Sequence, residues 1–376
     1  MHERENAYGV DAQPADPAPA AGTQAAVRYS ASPGLAQFLA QQNISLAFSS
    51  YQSGKLYLLG SHPNGGLHVN ERFFQKAMGI CVIPSREGEN QSILLASLFQ
   101  LIRFENVLGP GERINHLQDA CFVPRRIDIT GALDIHDVGM MADGRPVFVN
   151  TLYNCLATPS ARHAFKPFWK PPFISRIVRE DRCHLNGLAM DGGRPAYVTA
   201  VSRSDTIDGW RDRRADGGVV IEVESGRIVA EGLSMPHSPR LHRGRLWVLN
   251  SGTGELGWVD RTAHSSDAFR PLAFCPGFVR GLAVHGDYAI VGLSRPRYER
   301  FEGLALDQRL ADADSEPWCG WQIINLTTGT CVHWFRIDGA VAELYDIGLL
   351  TGIASPMALG FHTDEILTFV THEPLD

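Results

Sequence analysis

Along most of its length the chain alternates short apolar runs with turns built on Gly or Asp-Gly, and in its middle this alternation becomes a repeated phrase. The phrase runs from His136 to Asn150, from His184 to Thr199, from His237 to Asn250 and, with arginine in the leading place, from Arg280 to Gly292. Each copy has a polar head residue, an apolar run, a tight turn and a second apolar run ending on a small or polar residue. That is the pattern of a β-hairpin. Weaker copies come earlier, in Ile44–Phe48 with Lys55–Leu59 and in Ala77–Ile83 with Ser92–Ser97.

The heads of the strong copies are roughly 40 to 50 residues apart, the period of a β-propeller blade made of four antiparallel strands. Outer strands can be read in Gly218–Val223 with Arg227–Ala230 and in Gly320–Leu326 with Thr328–Phe335. The sequence therefore predicts an all-β propeller of about six blades, the last one closed by a strand from the other terminus. A further apparent hairpin, Met357–Phe361 with Glu365–Val370, leaves room for a seventh blade. Residues 1–26, rich in Ala, Pro, Asp and Gln, read as a disordered tail, and residues 27–376 as one propeller domain. Leu35, Phe38 and Leu39 predict a short helix over Ser32–Gln41.

Composition narrows the function. Net charge is −7 and nothing marks a nucleic-acid binder, and no apolar run is long enough to span a bilayer. Seven scattered cysteines with no Cys-x-x-Cys pair, and no signal-peptide profile, point to reduced thiols in the cytoplasm. Oligomeric state is not readable.

The heads carry the candidate chemistry. The residue that opens an inner strand and the one that closes the next strand share one end of the blade, so His136, His184 and His237 are expected to converge near Asn150, Thr199 and Asn250 at one mouth of the channel. Three neutral imidazoles with an open position suit zinc, iron or copper. Arg280 holds the same place in its copy, and Arg240 follows His237; both are expected to orient an anionic substrate. Loops after the second strands, carrying Tyr153, Trp210 and Arg211, are expected to border the mouth, with Asn150 and Asn250 in substrate contact. Tyr153 and Asp137 are the candidate proton carriers. Arg211 reads equally well as part of a solvated loop, Arg211 to Arg214, paired with Asp208, Asp212 and Asp216.

The stretches Gly232–Arg240 (GLSMPHSPR) and Pro276–Ala283 (PGFVRGLA) resemble a bacterial family of conserved hypothetical proteins of unknown function, over most of residues 130–350. More loosely, the phrase is similar to six-bladed propellers of the NHL-repeat and peptidyl-hydroxyglycine amidating lyase kind. That resemblance implies zinc on His136, His184 and His237 with an arginine and a tyrosine alongside. The chain departs from the lyase by closing its strands on Asn150, Thr199 and Asn250 in place of Asp. The expectation is a metal-dependent lyase or hydrolase acting on a small anionic or peptide-like substrate. The alternative is a non-catalytic propeller that presents its mouth to a protein or peptide partner.

Overall fold

A computed structural model describes residues 26–62, 64–85, 90–296 and 301–372. The tail expected over residues 1–26 falls almost wholly outside them. The described strands form six sheets around one axis, antiparallel except for one pair at an outer edge. In chain order the inner strands of blades two to six are Ile80–Ile83, Ile135–Met140, Leu185–Asp191, Pro236–His242 and Phe278–His285. The inner strand of blade one is Ile347–Thr351, which pairs with Ile44–Ser50. The C-terminal part of the chain thus closes the ring by completing the first blade.

Burial explains why the ring holds. Pro146–Asn150, Ser92–Ala96 and Ile44–Ser50 are buried at every position, because both faces of a blade are covered by its neighbours. Apolar clusters fill each of the six junctions. Phe48, Tyr57, Trp321 and Phe335 lie between blades one and six, and Leu58, Ile93 and Phe104 between one and two. Further clusters centre on Ile135 and Phe148, Val149 and Val198, Val220 and Val248, and Leu249 and Val291. The inner strands touch in an unbroken circle, so the propeller has six blades.

Four sequence expectations are revised. Pro356–Ala358 is a strand added in parallel to Ala120–Phe122 at the outer edge of blade two, and Glu365–Thr368 is helical, so the apparent hairpin there builds no seventh blade. Ile44–Ser50 and Lys55–Ser61 are the second and third strands of their blade, not the first and second. The segment after Thr151, read as one long loop, contains the strands Cys155–Thr158 and Lys166–Trp169. The helix spans Leu35–Gln42 and starts from Gly34, not Ser32; it buries Leu35 and Leu39 against blades one and six.

Candidate functional site at the head of the channel

Strand register places the head residues more finely than spacing could. Ile135 faces Asn150, Pro236 faces Asn250, and Leu185 faces Ala200. The next residues, His136, His237 and Asn186, are therefore equivalent. His184 lies two positions before Asn186, in a left-handed conformation with φ 51°. Phe278 faces Ser294, which sets Arg280 one position beyond the strict equivalent. In blade one that equivalent is Tyr345. This follows from its neighbour: Asp346 accepts from the N–H of Ile347 (2.9 Å) and of Ile80 in the next blade (2.8 Å). Asp137 does the same with Val138 (2.9 Å) and Leu188 (2.9 Å).

The side chains meet despite these offsets. The rings of His136 and His184 lie edge to face, 4.8 Å between centroids, and Tyr345 is 5.6 Å from His136. Arg280 Nη2 is 2.9 Å from Nε2 of His237, and its guanidinium lies 4.4 Å above the Tyr345 ring. Trp210 stacks on His184 at 4.2 Å, with Arg211 over its outer face at 4.6 Å. A cavity of about 10 Å³, room for the centre of one water molecule, is lined by His136, Asn186, His237, Arg280 and Tyr345, with Asp137, Ser238 and Asp346 below. A wider groove of about 760 Å³ beside the helix Leu35–Gln42 is lined by residues such as Gly34, Ala36 and His62 and holds none of these groups.

All three imidazoles are tied by Nδ1. His136 donates to the Asp134 carbonyl (2.9 Å) and the Thr151 hydroxyl (2.8 Å), whose own proton goes to the Leu185 carbonyl (2.6 Å). His237 repeats this with the Met235 carbonyl (2.8 Å), the Ser251 hydroxyl (2.9 Å) and, beyond it, the Val279 carbonyl (2.6 Å). His184 donates to the Asp181 carboxylate at 2.6 Å. Because a carbonyl or carboxylate only accepts, the proton sits on Nδ1 and the lone pair on Nε2. Burial, with Arg280 and the other imidazoles adding to it, pushes His136 down to about 3 and His237 well below the usual range, so both are neutral bases at pH 7.

A tethered, neutral imidazole with a free Nε2 is the chemistry that a divalent transition metal requires. The geometry is less complete. Among the described residues no three His, Cys, Asp or Glu side chains are grouped closely enough to hold an ion, and the lone pair of His237 is occupied by Arg280. The three donors fit a metal in kind, and Arg280 must turn aside for all three to serve.

Other expected residues take different roles. Arg240 is turned to protein acceptors. It fills the channel beneath the site, bonded to Asp137 at 2.8 Å, to Asp346 at 3.3 Å and to the carbonyls of Leu282 (3.1 Å), Leu188 (2.9 Å) and Pro239 (2.9 Å). Asp137, expected as a proton carrier, spends both oxygens on this contact and on backbone N–H groups. Tyr153 packs on Phe165 at 4.9 Å. Asn150 and Asn250 brace turns, accepting from the N–H of Tyr153 (3.2 Å) and of Ser234 (2.7 Å). Arg211 is exposed and pairs with Asp208 at 3.0 Å. The segment from Ser294 to Cys319 lies partly outside the described residues and includes the helix Leu306–Asp312.

Tyr345, Asn186 and Asp346 are the site residues that sequence reasoning missed. A signal existed: Tyr345-Asp-Ile-Gly-Leu-Leu350 matches His136-Asp-Val-Gly-Met-Met141 class by class.

Fold and site together define a six-bladed β-propeller with a polar, histidine-rich head to its channel. The chain belongs to the family described as "Domain of unknown function (DUF4915)", whose model matches residues 33–359. No curated protein matches the sequence. Solved structures with a similar fold include the nidogen/laminin complex (10% identity, TM-score 0.49, covering 82% of this chain and 99% of that one). Another is the PQQ-bound aldose sugar dehydrogenase of Streptomyces coelicolor (12%, 0.44, 78% and 91%). A third is a catalytically inactive virginiamycin B lyase of Staphylococcus aureus with quinupristin (13%, 0.38, 66% and 73%). At these identities the likeness concerns fold and carries no activity across. No helix among the described residues is long and apolar enough to cross a membrane.

Proposed function

We propose that the chain is an enzyme of the lyase or hydrolase class, whose site is the head of the channel and whose substrate is small and either anionic or peptide-like. The observation that carries this reading is the common tether: three imidazoles from three blades each fix Nδ1 on an acceptor, which puts the lone pair on Nε2. A structural histidine needs no such uniform arrangement. His136, His184 and His237 would hold a divalent transition metal, zinc favoured, once Arg280 leaves His237 for an anionic group of the substrate. A metal held there would supply Lewis acidity. The chain's own residues supply the rest: Thr151, Ser251 and Asp181 hold the imidazole tautomers, Arg280 orients negative charge, and Trp210 shields His184 from water.

The contact of 2.9 Å between Arg280 and His237 favours a second reading, in which no metal takes part and His136, neutral at pH 7, is the general base. Metal analysis of the purified protein separates the two. About one equivalent of zinc, iron or copper, absent from a His136→Ala, His184→Ala, His237→Ala triple variant, supports the first. No stoichiometric metal in either protein overturns it.

A further inference from the structure

Three of the polar groups on residues lining the small cavity at the head of the channel have no hydrogen-bond partner among the described residues. Tyr345 is 4% exposed and Asn186 2%, and among the described residues neither the Tyr345 hydroxyl nor Nδ2 of Asn186 has a hydrogen-bond partner. The amide is held in that sense by Thr199, whose hydroxyl donates to Asn186 Oδ1 at 2.6 Å. Nε of Arg280 is buried and unpartnered as well. No carboxylate among the described residues forms an ion pair with Arg280, although Arg240, a few ångströms deeper, is shared by two. A buried donor left unsatisfied is costly, and native proteins carry few of them. Three lining one cavity indicate a missing acceptor.

We infer that this cavity is a carboxylate-binding subsite, in which Tyr345, Asn186 and Arg280 converge on the oxygens of a small carboxylate ligand. Both unpartnered uncharged groups are donors, and Arg280 is the charge left without a carboxylate, because the Asp137 and Asp346 carboxyls below are turned to Arg240 and to backbone N–H groups; this favours an anion over a neutral carbonyl compound. The cavity has room for about one oxygen atom, so one carboxylate oxygen enters it and the second stays at its mouth, where a planar group needs less width than a tetrahedral phosphate. The remainder of the ligand would extend toward His136 and His184, placing the bond to be broken beside the imidazoles. The inference rests on the reading above only in sharing its site; it does not require the metal.

The test is calorimetric titration of the full chain with acetate, with its neutral isostere acetamide, and with inorganic phosphate, before and after EDTA treatment. Saturable acetate binding is expected, at least tenfold tighter than acetamide or phosphate and retained after EDTA. It should weaken at least tenfold in Tyr345→Phe and in Asn186→Asp, with melting temperature and metal content unchanged. Acetate and acetamide binding alike, phosphate binding as tightly as acetate, or undiminished acetate affinity in both variants overturns the inference. Acetate binding abolished by EDTA also overturns it, while supporting the metal reading; absence of metal with acetate binding intact does the reverse.

Discussion

Replacing Arg240 with leucine tests the floor of the site. Asp137 and Asp346 are each 4% exposed in their side chains, and Arg240 bridges them from a third blade while serving three carbonyls. Arg240→Leu leaves two buried carboxylates facing each other, and breaking a buried pair from one side costs about 3–5 kcal/mol. The cost must depend on pH. Burial pushes the Asp346 carboxyl up to about 7 against the pull of Arg240, with the Asp137 charge adding to the rise. A raised folded pKa contributes stability that is full below the unfolded value, near 3.8, and is lost as pH rises through 7. Without Arg240 the carboxyl rises further, so the variant's deficit should be larger at pH 8 than at pH 5.5. Urea unfolding of both proteins at the two pH values reads this directly. A deficit below about 1 kcal/mol at pH 8, the value of an exposed pair, or a deficit that grows on acidification would refute the argument.

Three further outcomes are expected. His136 and His237 have depressed folded pKa values, so they contribute stability present above 6.5 and lost as pH falls toward 3; melting temperatures between pH 7 and 4.5 should fall less steeply in His136→Gln than in the wild type. Thr151→Val and Ser251→Ala remove the hydroxyls that orient His136 and His237; each should cost about 1 kcal/mol in urea unfolding and, if metal is bound, about 10–100-fold in its affinity by competitive chelation. Gly187→Ala would bring a methyl group to 2.3 Å from Pro239 Cδ and 2.4 Å from Thr199 Oγ1; a loss of about 1–3 kcal/mol is expected by the same unfolding assay.

What could be read from the sequence follows from what a repeat exposes. The phrase from His136 to Asn150 shows its period because inner blade strands are apolar on both faces and their turns need Asp-Gly, and this gave the architecture. Individual register was hidden. The inner strands of blades three to six each carry an irregularity just after the head, so His184 and Arg280 look equivalent to His136 by spacing but stand two positions before and one beyond. Blade one hid Tyr345 and Asp346, because its inner strand comes from some 300 residues further along the chain. The role of Arg240 was invisible for a similar reason: its partners lie 103 and 106 positions away.

Two adjacent layers of the channel therefore differ in how their polar groups are used. In the layer of Asp137, Arg240 and Asp346 every charged group has a partner, whereas in the layer of His136, Asn186, His237 and Tyr345 the donors of Asn186 and Tyr345 remain free. The two layers should also respond oppositely to truncation. Removing the Tyr345 hydroxyl breaks no bond among the described residues and relieves a desolvated group, so Tyr345→Phe should leave stability unchanged or raise it by up to about 1 kcal/mol. A loss greater than that in urea unfolding would mean that the hydroxyl already has a partner, and that the free donors of the head layer are structural after all.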